Sequence, residues 1–86
     1  MRELTKRQKE YLICIMDFIE KFSYPPTWSE LAAHAGIKNF DGNNYSLAAL
    51  EAKGYVTWMR GGKRSIRVLK DIHGRKVRLA YEVVNG

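Results

Sequence analysis

The segment "NFDGNNYS", residues 39–46, sets two kinds of hydrogen-bonding group beside a tyrosine. The carboxamides of Asn39 and Asn44 each carry a donor and an acceptor, the pair that matches the major-groove edge of adenine. Asp41 can accept from the amino group of cytosine, and Tyr45 adds a hydroxyl. Gly42 permits close approach of a backbone. Asp41 serves equally well as a helix cap, and Asn43 as a turn residue. A second set of groups suits phosphate. Lys38, Lys53, Arg60, Lys63, Arg64 and Arg67 can neutralise charge, while Thr27, Trp28 and Ser29 stand where a helix start presents N–H groups to an anion. A solvated basic surface is the alternative for any one lysine. Arg60, Lys63 and Arg64 surround a turn, and phosphate or minor-groove contact fits them better. Trp28 and Trp58 could stack bases of a single strand. Trp58 is expected to pack against the domain instead, and Trp28 suits either role.

Catalytic chemistry finds no comparable constellation. No nucleophile stands with a base, so no catalytic residue is expected. His34 and His73 are far apart in sequence, and Cys14 is the one other soft ligand, so neither a metal site nor a cofactor is expected.

Three helices are expected to position these groups. The first runs over residues 5–22. Thr5 and Gln8 form a T-x-x-Q capping box, and Tyr11, Leu12, Ile15, Phe18, Ile19 and Phe22 recur at helical spacing on one face. Ile13 falls outside that face and Cys14 at its edge. Pro25 and Pro26 fix φ and donate no hydrogen bond, so they end this helix and hold an extended bend. Thr27 then opens a second helix through the capping box T-W-S-E, with Leu31, Ala32 and Ala35 on a narrow apolar side and Gly36 as C-cap. After the turn "IKNF", a third helix is expected from about Asp41 to Lys53. Leu47 and Leu50 mark its buried side, Asp41, Tyr45, Ala49 and Ala52 point away, and Gly54 ends it. Helix, tight turn, helix is the helix-turn-helix arrangement.

The remainder reads as β. "YVTWMR" (residues 55–60) and "SIRVLKDI" (residues 65–72) are strands joined by a tight "GGK" turn. A two-residue turn at His73-Gly74 leads to "KVRLAYEVV", where Val77, Leu79, Tyr81 and Val83 alternate onto one side. The fold class is therefore α+β: a winged helix-turn-helix of three helices and a small antiparallel sheet, with one extra C-terminal strand, in a single domain over residues 1–86.

Composition points the same way. The 86 residues carry a formal net charge of +6, which favours a polyanionic partner, nucleic acid before an anionic membrane. The charge is uneven: residues 60–78 hold eight basic groups against one acidic group, Asp71. A single cysteine excludes an internal disulfide and fits a reducing compartment. No apolar run approaches a membrane span and no signal-peptide core is present, so a soluble cytoplasmic protein is expected.

"LTKRQKEYLICIMDFI…YPPTWSELA…G", followed by "LAALEAKGYV" and "IRVL", resembles the DNA-binding domain of LexA-type repressors from Leu4 to about Leu69. The resemblance implies a winged helix whose third helix enters the major groove and whose wing touches the DNA backbone. It also implies sequence-specific binding of double-stranded DNA and transcriptional repression. Family members usually carry a C-terminal self-cleaving domain that also dimerises. This sequence stops short of its Ser–Lys pair, and Ala35-Gly36, which resembles a cleavage dipeptide, reads as a helix end. "NFDGNNYS" departs from the usual recognition pattern. A regulator from a phage or mobile element, with a homodimer at least on DNA, is the expectation. A protein-interaction adaptor and an RNA or single-strand binder are the alternatives.

Overall fold

The computed structural model describes residues 3–37 and 45–77. Its order is α1 (Lys6–Phe22), α2 (Trp28–Ala35), α3 (Tyr45–Ala52), β1 (Val56–Thr57) and β2 (Arg67–Val68). The two strands pair antiparallel, Val56 opposite Val68 and Thr57 opposite Arg67. This is the expected winged helix-turn-helix order.

Both expected capping boxes form. Thr5 Oγ1 accepts from the Gln8 N–H at 3.1 Å and Gln8 Oε1 from the Thr5 N–H at 3.0 Å. Thr27 and Glu30 repeat the exchange at the start of α2. Each reciprocal pair satisfies donors that a helix start leaves without partners. At the other end of α2, Gly36 has φ 73°, and the N–H groups of Gly36 and Ile37 reach back to the carbonyls of Ala33 and Ala32. That is a Schellman motif, which requires the left-handed conformation that glycine adopts without strain. Ala35-Gly36 is thus a structural helix end. α1 ends at Phe22 as expected, and its stop is Ser23, which at φ 64° donates to the Ile19 carbonyl; Pro25 and Pro26 carry the bend that follows.

The core gathers the apolar stripes of all three helices under the sheet. Leu12, Ile15, Ile19, Leu31, Leu47, Leu50, Val56, Ile66 and Val68 are fully buried. Trp58 joins them at 8% exposure, in its expected packing role. Phe22, assigned to the buried face, is 40% exposed; it lies 4.5 Å from the Phe18 ring in an aromatic group that includes Tyr24. Ile13 is exposed as expected.

The β region departs most from expectation. Each strand is two residues long, and residues 58–66 connect them as an extended wing, in place of a tight "GGK" turn. The Gly62 N–H donates to the Met59 carbonyl at 3.0 Å, with Gly61 at φ 78° in the third turn position, a conformation suited to glycine. Ser65 Oγ accepts from the Met59 N–H at 3.0 Å and braces the loop across its base. The second turn also differs. Asp71 accepts from Gly74 N–H on its carbonyl and from His73 and Arg75 N–H on Oδ1, so the loop holds three residues, 72–74, and not two. Its closing bridge pairs Lys70 with Lys76. Of the expected third strand, Lys76 and Val77 are described; Leu79, Tyr81 and Val83 lie outside the described residues, as do the first residues expected of the third helix.

Candidate nucleic-acid interface

The α2 N-terminus faces the wing across an open cleft of about 320 Å³. Pro26, Thr27, Trp28 and Ser29 form one wall; Gly62, Lys63 and Ser65 form the other. The first turn of a helix carries partial positive charge from its unsatisfied N–H groups, and here a lysine stands opposite. Lys63 is exposed and makes no ion pair among the described residues.

Trp28 is half-buried, its ring 5.5 Å from Trp58 and perpendicular to it, so one edge is spent on packing. Arg60 lies over the other side of this cluster, its guanidinium carbon 4.5 Å from the centre of the Trp58 ring. The same guanidinium donates from Nη2 to Glu51 Oε1 at 2.8 Å and ties the wing to α3. Arg67 stands on the exposed side of β2.

Two further expected phosphate ligands are likewise engaged within the protein. Lys53 Nζ donates to the Glu3 carbonyl at 2.9 Å and to Gln8 Oε1 at 2.8 Å, which fastens the end of α3 to the start of α1. Its partner Gln8 is a buried polar residue whose amide oxygen therefore serves both the α1 cap and Lys53. Arg64 forms a two-pronged pair with Glu30, Nη1 to Oε1 at 2.7 Å and Nη2 to Oε2 at 2.9 Å. Hydrogen bonding from Arg64, then from the Thr27 backbone, holds the Glu30 carboxyl below the usual carboxylate range. Glu30, Tyr24 and Gln8 were absent from the sequence-based site. Glu30 was legible as a cap, but a partner 34 residues away leaves no local signal.

Tyr45 is the first residue of α3 and is 85% exposed. Ser46 beside it is buried, so the helix presents its first side chain to solvent while anchoring the next. Lys38, Asn39, Asp41 and Asn44 lie outside the described residues. Met59, 70% exposed on the wing, is a further apolar group that sequence reasoning passed over.

Comparison with known proteins agrees with this geometry. The family model of the LexA DNA binding domain matches residues 1–65. The LexA repressor of Thermotoga petrophila is 41% identical over the whole of this chain, which covers 43% of the repressor. That of Sorangium cellulosum is 42% identical over 86% of this chain and 32% of its own length. The LexA repressor of Geobacter metallireducens is 40% identical over 88% of this chain and 37% of its own. The chain thus spans less than half the length of the curated relatives it matches. With its capped α2, half-buried α3 and basic wing in the matched region, the chain belongs to the LexA DNA-binding domain family.

Proposed function

We propose that the chain binds double-stranded DNA in a sequence-specific manner and acts as a transcriptional repressor in the cytoplasm. The observation that carries this reading is the cleft between the α2 N-terminus and Lys63 of the wing, in a chain whose α3 opens on an exposed Tyr45. In this reading α3 enters the major groove. Asn39, Asp41, Asn44 and Tyr45 read base edges, and Thr27, Trp28, Ser29, Lys38, Lys63 and Arg67 meet the backbone. Arg60 contributes positive potential from its place over Trp58, and Lys53 acts from within by holding α3 on α1. The single-strand alternative loses support, because Trp58 is buried and covered by Arg60. Two copies on one two-fold operator would gain affinity through coupling.

Selection of binding sites from random duplex DNA is the test. Enriched duplexes are expected, and binding should fall with salt by a log–log slope of about 0.9 for each phosphate neutralised. Enrichment of RNA or single strands alone would refute the reading. Sedimentation at saturation settles the copy number: one chain on a non-palindromic site would exclude the dimer.

A further inference from the structure

The wing hangs between two ion pairs, Arg60 with Glu51 of α3 and Arg64 with Glu30 of α2. Arg64 is the more completely committed. Its Nη1 donates to Glu30 Oε1 and also to the Pro25 carbonyl at 3.1 Å, its Nη2 donates to Glu30 Oε2, and its guanidinium carbon sits 4.7 Å from the centre of the Tyr24 ring. The backbone of Arg64 is left-handed, φ 53°, a conformation that an arginine adopts only when its surroundings hold it there. Glu30 is equally fixed, because the same carboxylate caps the Thr27 N–H. One carboxylate therefore locks both the start of α2 and the far limb of the wing.

We propose that Arg64 is a positioning residue: paired with Glu30, it sets the wing at the spacing from α2 that lets Lys63 and the helix N-terminus grip one DNA backbone together, and it neutralises no phosphate itself. The proposal rests on the duplex-binding reading above. Lys63 directly precedes Arg64 and lines the cleft opposite Thr27 and Ser29, so the position of Arg64 fixes that of Lys63. Within the wing, Ser65 Oγ joins Met59 and Gly62, so the loop moves as one piece about its ties. An exposed ion pair adds little to global stability. Its consequence is therefore expected in binding and in local opening more than in unfolding.

The decisive variant is Glu30→Gln. Glutamine retains the capping box, so α2 keeps its start, while Arg64 loses its anionic partner. If Arg64 positions the wing, Glu30→Gln should weaken duplex binding by roughly threefold to tenfold, toward the lower end of the coupling found within such networks. The salt slope should not steepen, and should flatten by up to about 0.9 as the grip of Lys63 loosens. Amide hydrogen exchange at residues 59–65 should quicken with or without DNA, and Glu30→Gln/Arg64→Met should bind no more weakly than either single variant. If Arg64 is instead a phosphate ligand held back by Glu30, Glu30→Gln should tighten binding and steepen the slope by about 0.9. That result would overturn the proposal, as would unchanged affinity with unchanged exchange. Quickened exchange in a chain that binds no duplex would refute the duplex reading and, with it, the role of Arg64 on DNA, while leaving the tie itself established.

Discussion

The proposed function has Tyr45 and Lys63 meet a duplex through different physics. In that reading the tyrosine hydroxyl at the start of α3 contacts a base edge, where a good contact discriminates by about 1–3 kcal/mol against the wrong base. Tyr45→Ala is expected to relax sequence preference while leaving the salt slope unchanged. Lys63 faces the α2 N-terminus and carries no sequence information. Lys63→Ala should weaken all duplexes similarly and flatten the slope by about 0.9. Titrations of a selected and a scrambled site at several salt concentrations separate the two; identical patterns would refute the division of roles. Residue type alone could not make this separation among the cations. Lys53, Arg60, Lys63 and Arg64 look alike in sequence. What distinguishes them is a buried glutamine 45 residues from Lys53 and a carboxylate 34 residues from Arg64.

At the scale of elements, legibility followed the range of the forces involved. The two capping boxes and the Gly36 C-cap join residues within one turn, so a short stretch of sequence specifies them. The apolar stripes of α1 and α2 are likewise local patterns. The strands are not, since pairing covers only two residues on each side and the rest of "YVTWMR" and "SIRVLKDI" serves the wing. Trp58 and Ile66 turn into the core there, and Ser65 bridges back to Met59, so side-chain anchoring replaces the ladder that β propensity suggests. The three-residue hairpin loop has the same origin, because the Asp71 carboxylate gathers His73 and Arg75 N–H groups and favours the longer turn. The bend at Pro25 and Pro26 makes α2 depend on its cap. Thr27→Ala removes the Oγ1 acceptor of the Glu30 N–H and is expected to cost about 0.5–2 kcal/mol. For a domain of this size, thermal unfolding should register several degrees, about 4–8 °C for each kcal/mol. An unchanged midpoint would mean that the α2 start is held by its tertiary contacts alone.

The whole molecule divides into an apolar three-helix centre and a periphery held by carboxylates. Among the described residues the buried polar side chains are Gln8 and Ser46, neither of which titrates, so acid finds little to disrupt in the centre. The periphery differs. Glu30 is held low by Arg64 and the Thr27 backbone, and Asp71 by the Arg75 and His73 backbone N–H groups. A carboxylate whose folded value lies below its unfolded value contributes stability that is fully present above the unfolded value. That contribution fades as pH falls through the folded one. Both ties therefore persist at neutral pH and weaken below about pH 4. Both also lie outside the helical centre, Glu30 against the wing and Asp71 in the hairpin after β2. Acid should thus release the wing and hairpin before the helices. Trp58 and Trp28 lie where the wing meets α2, so their fluorescence is expected to change at a higher pH than far-ultraviolet circular dichroism of the helices. Coincidence of the two transitions would show instead that wing and helices unfold as one unit, with the core contacts of Val56, Ile66 and Val68 outweighing the carboxylate ties.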